Sequence, residues 1–474
     1  MSQSSDPRKV RRLSKKHTNW HPQKLKLMAC EDKLTAAAGL GSMIEVFDES
    51  PIAKAFAECL PPRSSNNSYG SYRLGLIQLS SFIYGHDSLD DIEEFRDDPL
   101  FEAALKGEVA APKTIGDWLR DFKPEHIEKL NAFLPKMARA IRKQLGKIQP
   151  EEFKPSALHV SIDSTSHEQH GEKMEGCAWN YKGLWCLDSQ EIFDELGFSH
   201  GFELRAGNTK PGDAAENLIA QAFAGLPHDE VKYLSADSAY CHQDVIRTAL
   251  QFGAKFTITA NDATSLWKDK IPSITNWTPW IYSEEETKKA AARKRQLPLI
   301  ELGWFLWEPG WAEGKLKFPI VIKRTWKEYE GLFAQSAEGF WDHYGVATNF
   351  NLLTHSLQQV IEHHNKRGNA ENFIKEEKYG FDLLHFPCLS LTANYAFGLL
   401  AQIAHNVLRW VALVQNPDKP HFSKKLRRRF IYIPGKVVSH ARQLFLKIPT
   451  RFYEEVARFK QAWTLEPCPS LDTC

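Results

Sequence analysis

The sequence predicts a mixed α/β fold made of several packed units, on three observations. Its 474 residues exceed what one compact core holds, since domains typically run about 100 to 200 residues. Hydrophobic residues at 42%, aromatic residues at 12% and charged residues at 25% match ordinary globular usage, which excludes wholesale disorder. The apolar period also changes along the chain: helical before about residue 150, strand-like after it, and helical again past about residue 350.

Residues 1–65 read as a basic arm and linker. Arg8, Lys9, Arg11, Arg12, Lys15, Lys16, Lys24 and Lys26 face one acid, Asp6, in the first 28 positions, and the cluster PPRSSNNSYG punctuates 61–70. Residues 66–150 carry helical spacing, with helices expected near 74–83, 89–95, 99–105, 114–122 and 127–145. In this region AAPKTIGDWLRDF opens on Pro112 and Thr114 and presents Ile115, Trp118, Leu119 and Phe122 as one apolar face. A short helix, a turn and a second helix suit a helix-turn-helix DNA reader, and an ordinary small bundle gives the same pattern.

Residues 151–265 change period. SALHVSID alternates Leu158, Val160 and Ile162 as a strand ending at Asp163. Strands follow near 184–193 and 198–205, then a helix at 213–223, a strand KYLSAD ending at Asp237, a helix at 242–252 and a strand KFTITA. The first two strands are too close for a crossover helix and should pair antiparallel. The order β-β-β-α-β-α-β is that of an RNase H-like core. Residues 266–350 then read as a β-rich insertion, from LIELGWFLWEPG, KLKFPIVIKRTW and YGVATNF, before residues 351–415 complete the core with helices. Residues 416–474 form a basic C-terminal region, whose stretch 419–451 holds lysines and arginines and no acid.

The formal net charge is only +1, so these basic ends frame a balanced middle. Clustered cations suit a polyanion partner, because they bind phosphates by releasing counterions. A solvated charged face is the alternative for each run taken alone. The eight cysteines form no CxxC pair or finger-like spacing, and the N-terminus lacks an apolar signal core, so a reducing, cytoplasmic compartment is expected. The longest apolar stretch, 388–413, contains Asn394, Gln402, His405, Asn406 and Arg409, which argues for a buried helix rather than a membrane span.

Asp163 and Asp237 end two strands that a layered α/β arrangement sets side by side. Like charges that close repel unless a cation neutralises them, and a hard divalent ion such as Mg²⁺ or Mn²⁺ does so through oxygen ligands. Turn or cap roles are the alternative for two isolated aspartates. The segment HHNKRGNAENFIKEEKYG sharpens the choice. On one continuous helix, at about 100° per residue, His364, Arg367, Glu371 and Lys378 share one face, while Glu376 and Glu377 point elsewhere. Glu371 is therefore expected as the third metal ligand, and Gly368 is expected to permit a close backbone approach. Clusters at His167 and His170, or at His355, His363 and His364, lack any cysteine at ligand spacing and read as loop and surface histidines.

The spacing of His364, Arg367, Glu371 and Lys378 resembles the YREK signature of DDE transposases from prokaryotic insertion sequences. Similarity extends through GHDSLDDIEEFRDDP, SIDST, GFELRAGNT, LSADSAY and RGNAENFIKEEKYG to KKLRRRFIYIPGKVVSHARQLFL, over roughly 71–450, closest to the branch called DDE-domain group 1. The resemblance implies Asp163, Asp237 and Glu371 as catalytic residues and metal ligands, with two Mg²⁺ or Mn²⁺ ions per active site. It implies Arg367 and Lys378 as phosphate contacts, with His364 departing from the signature tyrosine. It also implies base stacking on Tyr344 or Trp341. Arg427, Arg428 and Arg429 of the basic C-terminal stretch are expected to add DNA contacts.

The resemblance further implies a cut-and-paste transposase that binds terminal inverted repeats, nicks the element's ends and joins 3′-hydroxyls to target DNA. Its partners would be double-stranded DNA and a second copy of the chain in the synaptic complex, without a membrane or a small-molecule cofactor, and it would associate with the nucleoid. A metal-dependent nuclease on the same fold that cuts but never joins is one alternative. A catalytically silent DNA-binding relative is another.

Overall fold

The computed structural model describes residues 25–63, 69–105, 107–153, 157–227, 229–329, 339–441, 443–465, 468–469 and 471. The basic run therefore lies outside the described residues up to position 24. The fold is mixed α/β, and its first core is mainly helical, closed on one side by Leu187, Phe202 and Leu204 of the strands. Ala38–Asp48, Pro51–Cys59, Ser71–Tyr84, Pro112–Leu119 and Pro124–Ile148 pack against Leu391–Gln415 and Thr450–Leu465. Local chemistry sets several starts: Ser50 caps one helix by accepting from the Ala53 N–H, and Pro51, Pro112 and Pro124 occupy first-turn positions where a missing N–H costs nothing. Ile115, Trp118, Leu119 and Phe122 are all buried, as their spacing predicts.

The chain is already folded at Leu34, well inside the segment read as arm and linker. Leu34–Thr35 pairs antiparallel with Gly435–His440, and Leu40, Met43, Ile44, Phe47, Ile52 and Phe56 supply two buried helix faces. The long apolar helix Leu391–Gln415 satisfies length and composition for a membrane span, yet its apolar window is entirely buried within the fold. Three of its buried polar residues are tied to backbone groups of distant segments or its own N-terminal approach. Asn394 bonds both backbone groups of Cys388 at 2.9 and 2.8 Å, Asn406 those of Ser199 at 2.7 and 2.9 Å, and His405 donates to the Gly197 carbonyl at 2.8 Å.

Ten strands among the described residues form one sheet. Ala157–Glu168 lies between Trp185–Asp194, antiparallel, and Val231–Ala236, parallel; Lys255–Thr259 follows in parallel, and Ser199–Ala206 pairs with Trp185–Asp194. Helices Ala215–Phe223 and Gln243–Gln251 bury their apolar sides against these strands. The strands of 266–350 do not build a sheet apart from this one. Phe340–Thr348 pairs antiparallel with Lys255–Thr259, in register Val346↔Thr259, and Phe318–Lys327 and Ile300–Trp307 continue outward. Their pairing covers backbone groups that an edge strand would leave open.

The expected single helix carrying His364 to Lys378 is two, Leu357–Asn365 and Gly368–Gly380. At the junction the N–H groups of Lys366, Arg367, Asn369 and Ala370 bond three residues back, at 3.2, 3.0, 3.1 and 2.9 Å. This tighter winding interrupts the continuous helix that the shared-face arithmetic assumes. Gly368, a weak helix former, sits at the break, where an added Cβ would meet nothing within 4 Å.

Candidate active site

The strand register brings the two aspartates together. Ile162 pairs with Ala236 on neighbouring parallel strands, so Asp163 and Asp237 stand next in line, one on each. Each carboxylate is oriented by its own backbone. Asp163 Oδ1 accepts from the Ser164 N–H at 2.9 Å, and Asp237 Oδ1 caps the short turn Ser238–Tyr240 by accepting from the Ala239 N–H at 2.8 Å. Burial and the nearby charge of Asp237 push the Asp163 carboxyl up to about 6, with Glu371 adding to the rise while the Ser164 N–H and Arg367 oppose it.

Glu371 belongs to the same cluster. It lies in the first turn of Gly368–Gly380, its side chain 49% exposed, and Arg367 reaches both sides: its guanidinium nitrogens are 3.7 Å from Asp163 Oδ2 and 3.7 Å from Glu371 Oε1. The aspartates thus have a cationic neighbour that their sequence context did not reveal. The helix is anchored by Ala370, Phe373 and Ile374, which pack on Phe193, and by Glu377. Glu377 is buried, accepts from Gln402 Nε2 at 2.5 Å, and interacts with the equally buried Glu191, which faces Asp163 across the antiparallel pair. Burial, then the charge of Glu191, pushes the Glu377 carboxyl well above its ordinary range. Its two-carboxylate environment was not legible from the helix alone, because Glu191 is far away in sequence.

Lys378 is half-buried and donates to the Ser166 carbonyl at 2.7 Å, just past Asp163 on the same strand; burial lowers its ammonium from the usual range. It therefore stays beside the site. His364 does not face outward as a phosphate ligand. It is buried, its Nδ1–H donates to the Thr257 carbonyl at 3.1 Å, and its Nε2 accepts from the Tyr344 hydroxyl at 2.8 Å, with Thr259 Oγ1 3.1 Å away. Burial, outweighing the carbonyl bond, brings its imidazole down to about 4, so it is neutral.

The two aromatics expected to stack bases are engaged within the protein. The Tyr344 hydroxyl is held by Thr259 at 2.7 Å as well as by His364. Trp341 lies 4.3 Å from the Arg324 guanidinium, which also covers Trp277 at 3.9 Å and is paired with Glu301. The arginine run divides. Arg427 is buried and donates to the carbonyls of Ile83 at 2.8 Å, Phe82 at 2.7 Å and Gly380 at 2.5 Å, which corrects its expected DNA role: an internal staple cannot reach a phosphate. Arg428 is exposed, and Arg429, also exposed, pairs with Glu455 at 3.2 Å and His421 at 3.0 Å.

Among the described residues no three His, Cys, Asp or Glu side chains converge tightly enough to hold a metal ion as they stand. The donor chemistry of Asp163, Asp237 and Glu371 nevertheless fits a hard divalent cation: all are oxygen donors, and the Asp163 carboxyl, raised by burial and then by the charge of Asp237, lacks the compensation that such a cation supplies. The histidine clusters offer no comparable set, since His167 is buried between the Leu383 carbonyl at 2.5 Å and Ser189 Oγ at 2.7 Å.

No curated protein matches the chain. A family model does. Two aspartates on adjacent strands, joined through Arg367 to a glutamate from a distant helix, lie within the residues 20–464 matched by the model described as transposase DDE domain group 1, and the chain belongs to that family.

Proposed function

We propose that the protein is a cut-and-paste DNA transposase that binds terminal inverted repeats, nicks the ends of its element and joins the freed 3′-hydroxyls to target DNA. The adjacency of Asp163 and Asp237, with Arg367 reaching from Asp163 to Glu371, carries this reading. The order of five strands supports an RNase H-like core: in chain order they lie third, second, first, fourth and fifth across the sheet. Arg367, Glu371 and Lys378 keep the spacing of the YREK branch, with His364 at its tyrosine position.

Asp163, Asp237 and Glu371 would hold two Mg²⁺ or Mn²⁺ ions, which when bound activate a water or 3′-hydroxyl and stabilise the leaving oxygen. The chain's own contribution is placement. The paired strands fix two carboxylates, the Glu377 anchor holds the helix that presents the third, and Arg367 and Lys378 set positive charge beside a phosphodiester. No serine or tyrosine nucleophile is needed, because water and the DNA's own hydroxyl attack. Two ends must meet, so a homodimer is expected in the complex with DNA.

The test is strand cleavage and joining on DNA carrying the inverted repeats that flank the coding region, with Mg²⁺. Asp163→Asn, Asp237→Asn and Glu371→Gln should each abolish cleavage while specific end binding persists. Near-normal cutting by Asp237→Asn would refute the triad. Cutting without joining by the unmodified protein would mark a nuclease, and no divalent-dependent cutting at all would mark a silent DNA-binding relative.

A further inference from the structure

Beyond Asp163 the same strand runs along a cleft of about 540 Å³, within the roughly 300–1,000 Å³ typical of ligand pockets. Its floor is the hydroxyl-bearing run 164–166, and its rim is the hairpin that leads into Trp185–Asp194. The hairpin tip is rigid. Asn180 Oδ1 accepts from the N–H groups of Lys182 at 2.9 Å and Leu184 at 3.0 Å, and its Nδ2 donates to Ser166 Oγ at 3.1 Å. Gly183 closes the turn at φ 73°, a left-handed conformation suited to glycine.

This tip holds two large aromatics in water. Trp179 is 65% exposed and Tyr181 is 77% exposed, so neither is spent on the core. Lys182 lies 5.3 Å over the Tyr181 ring, and Lys210 and Lys378 line the same cleft. The cleft's carboxylate, Asp188, is already engaged by Arg205, whose Nε donates to Oδ1 at 2.9 Å. Unspent aromatic faces among cationic side chains form the arrangement that takes single-stranded nucleic acid, where bases stack and lysines follow the backbone. Trp341 and Tyr344, in contact with Arg324 and His364, are less exposed than these two.

We propose that this cleft receives unpaired nucleotides of the DNA strand leaving the Asp163 site, with Trp179 and Tyr181 as stacking surfaces and Lys182, Lys210 and Lys378 on the phosphates. The proposal rests on the DNA-processing function above and narrows its substrate to ends with locally unpaired bases.

Fluorescence anisotropy in EDTA, with a blunt duplex and the same duplex bearing a four-nucleotide single-stranded tail, tests it. The unmodified protein should prefer the tailed duplex. Trp179→Ala and Tyr181→Ala should each weaken tailed binding at least about fivefold, the low end of base–aromatic stacking, and leave blunt binding unchanged. Trp179→Phe should retain most of the preference, and thermal unfolding should not move, since both side chains are exposed. Equal losses for both duplexes, or no loss, would overturn the proposal. If the unmodified protein shows no Mg²⁺-dependent cutting but its tail preference falls in both alanine variants, the transposition chemistry fails and the cleft stands. Asp163-dependent cutting with unchanged tail binding in both variants would remove the cleft alone.

Discussion

Replacing Glu377 by glutamine should stabilise the protein, increasingly so as pH rises. Glu377 and Glu191 are each 1% exposed, and Glu191 Oε2 and Glu377 Oε1 have no other hydrogen-bond partner. The remaining oxygens are served, Glu191 Oε1 by Ser189 at 2.7 Å and Glu377 Oε2 by Gln402 at 2.5 Å. One proton on Glu377, donated to Glu191, satisfies both orphaned atoms, in line with the raised Glu377 carboxyl. The unfolded chain gives up that proton near 4.5, whereas the folded chain keeps it far longer. Above 4.5, and until the buried pair ionises, the folded state holds one more proton than the unfolded state, so stability falls as pH rises, by about 1.4 kcal/mol per pH unit.

In Glu377→Gln an amide nitrogen takes over the donor role without needing a proton, so that slope disappears. From pH 6 to pH 8 the variant should gain steadily on the unmodified protein for as long as the buried carboxyl keeps its proton. Urea unfolding at pH 6, 7 and 8 measures this directly. Parallel stability profiles, or a variant less stable at every pH, would refute the shared proton. Because Glu377 anchors the helix bearing Glu371, the substitution should also preserve Mg²⁺-dependent cleavage, whereas Glu377→Ala should impair both folding and cleavage.

Other expectations can be measured alongside. Arg142 bridges Pro124–Ile148 to the sheet, 2.9 Å from the fully buried Asp194 and 2.8 Å from Glu195, so Arg142→Ala should destabilise the protein in denaturant unfolding by up to about 3–5 kcal/mol, because the buried Asp194 loses its arginine and keeps His200 and backbone N–H groups. Burial alone would raise the Asp194 carboxyl, but Arg142 and His200 outweigh it and hold it at about 2. Its stabilising contribution is therefore full above 3.8 and lost as pH falls toward 2, which acid titration of unfolding should trace. Arg427→Ala should lower the melting temperature with no change in the salt dependence of DNA binding, whereas Arg428→Ala should leave melting unchanged and reduce the salt slope by about 1. Arg367→Ala should depress cleavage with little loss of stability, because its contacts with the largely buried Asp163 and the half-exposed Glu371 are long, at 3.7 Å each; an unchanged cleavage rate would sink its phosphate role.

Strands and helices that repeat a local period were legible from the sequence. Alternation at Leu158, Val160 and Ile162 marked the strand of Asp163, and turn signals bounded Ser199–Ala206, Val231–Ala236 and Lys255–Thr259 within a residue or two. The helix through Glu371 was not fully legible. A 3.6-residue period extrapolated across Gly368 assumes unbroken winding, and the tightened hydrogen bonds at 366–370 shift the phase. His364 is buried, which the sequence spacing did not reveal.

Segment by segment, the amino-acid order determined the mixed α/β character, the strand that carries Asp163, the strand-end position of Asp237, and the glutamate in a helix after the sheet, because these depend on short-range periodicity and turn chemistry; it did not determine that the first strand runs past Asp163 to Glu168 rather than ending there. Tertiary structure alone decided which charges face solvent. It buried Arg427 against three carbonyls but left Arg428 outside, set Arg367 between Asp163 and Glu371, and joined Glu377 to Glu191 across 186 positions (377 − 191). Burial and pairing are properties of packing between distant segments, so the charge of a side chain is written in the sequence while its task is set by what folds against it.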